Sequence, residues 1–91
     1  QAIEVDPRVY DAYLGKYEIA RNLIVTVTRE DTKLVAQATG YSKIELFPES
    51  EIEFFAKRLD AQIMFVSDGS GKITYALIHL NGHEMQAWKI K

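Results

Sequence analysis

The chain has 91 residues, of which 47% are hydrophobic and 26% are charged, and its formal net charge is −2. This length fits one domain with a single core, and the absence of Cys excludes a disulfide framework and a Cys-based zinc site. Charges of both signs are mixed without a basic block, which argues against nucleic-acid binding, and no apolar run approaches the roughly 18 residues of a membrane span.

The first predicted element is a short helix at about residues 7–14. Asp6 is a suitable N-cap, and Pro7 suits the first helical position, where its missing N–H has no intrahelical partner. Gly15 supplies the stop. The apolar residues that share one face of this helix are Val9, Tyr10, Tyr13 and Leu14. We therefore expect about two turns that press a Tyr/Leu face onto an apolar surface.

From Lys16 onwards the sequence predicts strands only, because short β-branched and aromatic runs alternate with turn signals. The segment 68–71, with two glycines, is predicted to be a hairpin loop. Asn81-Gly82 is the favoured pair for a two-residue type I′ turn. The predicted strands are 16–19, 23–29, 33–38, 43–47, 51–56, 61–67, 72–80 and 83–90.

Eight short strands joined by short turns predict an all-β domain over residues 1–91, with an antiparallel up-and-down arrangement. An open sheet of this size would expose two edges and one wet face, whereas closure into a barrel removes the edges. At eight strands the interior is filled by side chains or leaves room for one small ligand. We expect the helix to cover one open end of the barrel.

Several motifs resemble a known family. They are Asp6-Pro7 followed by Tyr-Leu-Gly-Lys-Tyr-Glu at 13–18, Glu-Leu-Phe-Pro-Glu-Ser-Glu at 45–51, and Asp-Ala-Gln-Ile at 60–63. They resemble a small lipocalin-like domain of unknown function that lies C-terminal to β-lactamase-like serine hydrolases and related bacterial enzymes. Trp88 departs from the family pattern, which has a polar or charged residue at that place.

The resemblance implies an eight-stranded lipocalin-like barrel with an accessory role beside a hydrolase. The family's motifs carry no catalytic residues, so none is transferred to this chain. The resemblance also implies an extracytoplasmic setting, although the N-terminus of this chain lacks the basic and apolar regions of a signal peptide.

His79 and His83 raise the possibility of a metal site. With Asn81-Gly82 as a two-residue turn, His79 lies opposite Glu84 and His83 lies opposite Leu80. Adjacent cross-strand pairs point to opposite faces of a sheet, so the two histidines do not share a metal ion. A cross-strand contact between His79 and Glu84 is the predicted alternative.

Other chemistry is also weakly supported. Gly69-Ser70-Gly71-Lys72 resembles the end of a phosphate loop, but Ile73 follows the Lys and the context is a hairpin, so we interpret it as a turn. The serines lie in or beside turns and outside the Ser-x-x-Lys and Gly-x-Ser-x-Gly motifs. We therefore expect no catalytic residue, no cofactor and no metal in this chain, and an independent enzyme has no sequence feature to support it.

An apolar surplus is the more informative feature, because strand 72–80 is apolar on both faces. The hairpin register places Ala76 and Ile78 inside with Ala87 and Met85. Ile73, Tyr75 and Leu77 then lie outside, with Trp88 opposite Tyr75. We predict that Tyr75, Leu77 and Trp88 form a contact surface for a neighbouring hydrolase domain or for a second copy of the chain. Coverage of these residues by the helix or the N-terminal segment is an equal alternative.

A second hypothesis is the binding of a small apolar ligand in the barrel mouth. Small inward residues such as Ala36 indicate either a cavity or a barrel packed solid, and alternation alone does not distinguish the two. The candidate lining residues are Tyr17, Val25, Ala36, Phe54 and Phe65.

Overall fold

Eight antiparallel strands close into a barrel, because the last strand pairs with the first. The computed structural model describes residues 5–57 and 60–91. A 3₁₀ helix at Pro7–Ala12 precedes the strands. The strands are β1 (Gly15–Ala20), β2 (Leu23–Glu30), β3 (Lys33–Ala38), β4 (Ile44–Pro48), β5 (Glu53–Ala56), β6 (Ala61–Ser67), β7 (Ile73–Leu80) and β8 (His83–Lys89). The predicted closed eight-stranded antiparallel barrel is confirmed.

The N-terminal helix is shorter and tighter than predicted. The Asp6 carboxylate accepts the backbone N–H of Arg8 at 3.0 Å, as an N-cap does, and also pairs with the Arg8 guanidinium at 2.7 Å. These hydrogen bonds from Arg8 lower the pKa of Asp6 to about 2. The six-residue helix is 3₁₀ rather than two α-turns, since β1 already begins at Gly15 and limits the helix to a single short segment.

The turn between β7 and β8 follows the predicted chemistry. Asn81 and Gly82 have φ values of 51° and 85°, as the two central residues of a type I′ turn require. The turn sets the register in which His79 faces Glu84 and Leu80 faces His83, as predicted.

The β6–β7 loop is organised by one carboxylate. Asp68 Oδ1 accepts the backbone N–H of Ser70 at 2.8 Å, its hydroxyl at 2.7 Å and the backbone N–H of Lys72 at 3.2 Å. The hydrogen bonds from Ser70 lower the pKa of Asp68. The Gly-Ser-Gly-Lys segment is thus part of a closed hairpin turn, consistent with its interpretation as a turn.

Strand β7 corrects one prediction about which face a residue occupies. Val66 pairs with Tyr75 and Ser67 pairs with Ile73, which leaves Thr74 as an extra residue in β7. Such a bulge shifts the alternation by one residue. Ile73 consequently lies in the core, 6% exposed, and not on the outer face beside Tyr75.

Strand β5 begins two residues later than predicted. The hydroxyl of Ser50 accepts the backbone N–H groups of Ile52 at 3.2 Å and of Glu53 at 3.0 Å. This side-chain turn precedes the strand, although the carbonyl of Ile52 still accepts the backbone N–H of Phe65 in β6 at 2.9 Å. Ile52 is therefore exposed, and Phe54 is the first apolar side chain of β5 to enter the core.

Closure of the barrel depends on the pairing of β1 with β8. Tyr17 lies opposite Lys89 and Glu18 lies opposite Trp88. Two further backbone hydrogen bonds extend the seam, from the N–H of Ile90 to the carbonyl of Lys16 at 2.8 Å and from the N–H of Lys16 to the carbonyl of Lys91 at 3.2 Å.

Gly15 allows the chain ends to meet at this seam. Its φ is +144°, a conformation that other residues rarely adopt, and a Cβ added there would overlap the carbonyl oxygen of Lys91. We predict that Gly15→Ala lowers the free energy of unfolding by about 1–3 kcal/mol through backbone strain, with more lost if Lys91 is displaced. Urea unfolding measures this effect.

The matched control is Gly69→Ala, because an added Cβ at Gly69 meets no atom within 4 Å. We expect this variant to unfold within about 0.5 kcal/mol of the original chain. Equal stability of the two variants would show that Gly15 has no part in closure.

Candidate functional site

An aromatic cluster closes one end of the barrel. The rings of Tyr13 and Phe65 are stacked with centroids 4.3 Å apart and planes at 3°. Phe54 meets Tyr10, Tyr13 and Phe65 edge to face, with centroids 5.6 to 5.8 Å apart. Edge-to-face and offset arrangements suit the ring quadrupoles. The 3₁₀ helix contributes Tyr10, and Tyr13 is the residue that follows the helix. The helix therefore covers this end of the barrel, as predicted.

Two hydroxyl groups at this end of the barrel have backbone partners. Tyr17 donates to the carbonyl of Tyr13 at 2.7 Å, and Tyr13 donates to the carbonyl of Glu51. Burial raises the pKa of the Tyr17 and Tyr13 hydroxyls, because the charged phenolate would lose its hydration. The aromatic cluster is therefore a satisfied, packed plug of neutral side chains.

A cavity of about 610 Å³ occupies the other end of the barrel. Its lining residues lie where odd strands end and even strands begin, opposite the aromatic cluster. The volume lies within the range of about 300–1,000 Å³ that small-molecule sites have. The deep wall is formed by buried side chains of five strands: Val25, Ala36, Leu46, Ile63 and Ile78.

The upper wall of this aliphatic cavity is also apolar, and polar groups are found at its exposed rim. The upper residues are Ile19, Leu23, Ala38, Ile44, Ala61, Leu80 and Met85. The exposed rim residues are Tyr41, Ser42, Gln62 and Asn81. The arrangement can shelter an apolar group and offer uncharged hydrogen-bonding groups at its entrance.

The five residues predicted to line a ligand site lie in two different places. Val25 and Ala36 belong to the deep wall of the aliphatic cavity. Tyr17, Phe54 and Phe65 are almost fully buried in the aromatic cluster at the opposite end. All five point inward, but the level along the barrel axis decides which of them reach the cavity.

Of the predicted ligand-lining residues, only Val25 and Ala36 reach the cavity, and Ile78 and Met85 were predicted to lie inside the barrel without being assigned to a ligand site. The other apolar strand residues of the wall continue the same period-2 alternation toward the ends of the strands, as Ile19 and Leu80 show. Position near a strand end and distance from the helix were the available signals. These signals require knowledge of which end the helix covers, and alternation does not contain that information.

The predicted contact surface lies on the outside of the barrel. Tyr75 and Trp88 face each other across β7 and β8 with ring centroids 5.2 Å apart, and Trp88 is 54% exposed. Leu77 lies on the same outer face and is half-buried. Two half-buried residues of β6 that the sequence reasoning did not name extend the surface, since Met64 pairs with Leu77 and Val66 with Tyr75. We call these five residues the outer patch.

The histidines follow the prediction. Nε2 of His79 lies 3.0 Å from Oε1 of Glu84, on the exposed surface. A shallow depression of about 140 Å³ nearby is lined by Glu49, Glu53 and Gln62 among others.

Within residues 5–57 and 60–91 no group of three or more His, Asp or Glu residues is placed to hold a metal ion. No helix in this part of the chain combines the length and apolarity needed to cross a membrane.

Comparison with known proteins identifies a family. A family model described as "Domain of unknown function (DUF3471)" matches residues 1–89, so the chain belongs to this family. The chain is also similar to penicillin-binding protein 4* of Bacillus subtilis (strain 168), with 29% identity over 87 residues. That match covers 96% of the chain and 19% of the relative, so the chain spans about a fifth of the relative's length.

The aromatic cluster generates a prediction about alkaline pH. Because the folded-state pKa of Tyr17 is raised, its contribution to stability is present below the ordinary tyrosine pKa of about 10 and is lost as the pH rises through the raised value. We expect Tyr17→Phe to lose about 1 kcal/mol at neutral pH with its hydrogen bond, and to show a weaker fall in stability above about pH 10.

Urea unfolding at a series of pH values measures both effects. Tyr41→Phe is the control, because Tyr41 is 70% exposed and lies outside the cluster. A Tyr17→Phe variant with the same alkaline slope as the unmodified chain would contradict the role of Tyr17 burial.

Proposed function

We propose that this DUF3471 domain is a non-catalytic accessory domain of a β-lactamase-like serine hydrolase, against which it packs through the outer patch. The observation that carries the proposal is the similarity of nearly the whole chain to a 19% portion of a penicillin-binding protein. A domain that recurs as a small part of a larger protein has a covalent neighbour to contact. The proposal includes an extracytoplasmic setting, because the relative is named as a penicillin-binding protein.

The composition of the outer patch supports this role. Aromatic side chains and Met are enriched in protein interfaces, and Trp and Tyr contribute much of the binding free energy there. Trp88 leaves more than half of its surface exposed beside Tyr75. The outer face of β2 and β3 differs, since it carries Thr26 and Thr28 opposite Gln37 and Val35. A neighbouring domain would bury more apolar side chains on the β6–β8 side than on the β2–β3 side.

The polar groups of the chain support a non-catalytic role. The Ser50 hydroxyl accepts two backbone N–H groups, and the Ser70 hydroxyl donates to Asp68, so both have structural partners in turns. His79 is paired with Glu84 on the surface. The nucleophile of a serine hydrolase would then lie in the neighbouring domain, and this domain would contribute to its stability or assembly.

We predict that Trp88→Ala weakens the contact with the hydrolase domain. In the full-length hydrolase this variant should lower the free energy of domain docking by about 2 kcal/mol, because truncation of a central aromatic residue removes a large contact area. Hydrogen exchange across β7 and β8 measures docking. The isolated chain should lose only about 1 kcal/mol of stability, since Trp88 is half exposed.

Thr28→Ala is the matched control on an exposed site of β2, away from the outer patch. Light scattering of the isolated chain over a range of concentrations distinguishes a hydrolase domain from a second copy of the chain as the partner. A dimer that Trp88→Ala dissociates would identify a second copy as the occupant of the outer patch. Unchanged docking and unchanged mass in the Trp88→Ala variant would exclude the outer patch as an interface.

We propose a second function, the binding of a small apolar ligand, on the strength of the aliphatic cavity of about 610 Å³. Ala38 lies on the upper wall, so Ala38→Phe should fill the entrance with a large side chain. We expect the uncharged dye Nile red to bind the original chain with a rise in fluorescence. Its affinity for Ala38→Phe should be at least about tenfold lower.

Ala20→Phe is the matched control, because Ala20 lies at the same end of the barrel but is exposed and outside the cavity lining. Circular dichroism and urea unfolding confirm that each variant is folded. Absence of dye binding by the original chain, or equal binding by Ala38→Phe, would rule out this second function.

A further inference from the structure

The side chains that line the aliphatic cavity differ between its deep wall and its rim. Below the rim its wall contains aliphatic side chains and Met85, while the aromatic rings of the core lie in the cluster at the opposite end. A bound ring would therefore find no stacking partner in the deep wall, whereas a flexible hydrocarbon chain would meet similar groups on every side.

The charges around the cavity restrict the chemical class of the ligand further. Among the residues that the structure describes, sixteen line the cavity, and none of these is Lys, Arg, His, Asp or Glu. The nearest cation in sequence to the rim residue Ser42 is Lys43, whose ammonium group already pairs with the Glu30 carboxylate at 2.8 Å. A charged group drawn into the cavity would lose hydration without gaining a counter-ion.

The rim provides neutral hydrogen-bonding groups in fixed positions. Asn81 is held in the β7–β8 turn at a φ of 51°, and its backbone N–H donates to the carbonyl of Asp60 at 2.9 Å. Tyr41 and Ser42, whose side chains carry hydroxyl groups, line the entrance between β3 and β4. Hydroxyl and amide groups pair well with an uncharged polar end group, such as an alcohol or an ester.

From these features, and resting on the ligand-binding function proposed above, we infer that the cavity selects a neutral amphiphile with an aliphatic chain. The hydrocarbon lies against the deep wall formed by Ala36, Leu46 and Ile78, and the uncharged polar end lies at the rim beside Asn81. Anionic and cationic molecules with the same chain bind more weakly, because none of the described lining residues carries a charge to compensate them.

Isothermal titration calorimetry with three probes that share one chain tests the selectivity. The probes are decanoylglycerol, decanoate and decyltrimethylammonium, each kept below its micelle-forming concentration. We expect decanoylglycerol to bind about tenfold more tightly than either charged probe. Equal affinity for the three probes overturns the selectivity while leaving ligand binding by the cavity intact, and loss of all binding, together with the dye result, overturns both.

Asn81→Asp tests the position of the end group. Asp tolerates the positive φ of this turn and has the same size as Asn, so the variant adds charge with little change in shape. We expect decanoate to bind about fivefold more weakly and decyltrimethylammonium more tightly, while decanoylglycerol changes little. Gln86→Glu is the control, since it adds the same charge on the outer face of β8. Identical affinities in Asn81→Asp and Gln86→Glu for every probe would overturn the placement of the end group at the rim.

Discussion

The pairing of β1 with β8 is the constraint on which the rest of this structure depends. Without it the eight strands would form an open sheet with two unpaired edges and an exposed apolar face. The seam contains few paired residues, Tyr17 with Lys89 and Glu18 with Trp88, and backbone hydrogen bonds from Lys16 extend it. Gly15 permits the close approach of Lys91 that the seam requires. The interior exists as an enclosed space because this seam holds.

Closure divides the interior into two regions with different chemistry. The helix reaches only one end of the barrel, where Tyr10 packs against Phe54 and Tyr13 stacks on Phe65. The hydroxyl bonds of Tyr13 and Tyr17 satisfy the polar atoms that this packing buries. In the described part of the chain no helix inserts side chains at the opposite end, where aliphatic walls surround the cavity. The same helix thus explains both the packed end and the open one.

The outer patch lies next to the seam between β1 and β8. Binding of a partner or of a ligand would therefore affect the stability of the closed barrel. Trp88 faces Tyr75 on one side and Glu18 of the first strand on the other. A partner that binds only the closed form at this place stabilises closure by mass action. A ligand in the cavity would act in the same direction from the inside. A small domain of 91 residues, which buries a modest share of its surface, benefits from both.

Sequence alone determined the number and order of the strands, the β7–β8 turn and most of the faces. Asn81-Gly82 set the β7–β8 register because the type I′ turn requires positive φ at both residues, and alternation then placed Ala76 and Ala87 inside. Local patterns missed Ile73 and Ile52, since the extra residue at Thr74 and the Ser50 turn interrupt the period without a distinctive sequence signal. Only the tertiary structure separated Val25, at the cavity, from Tyr17, in the aromatic cluster. Alternation fixes the direction of a side chain, but the space that it meets depends on residues from strands far away in the chain.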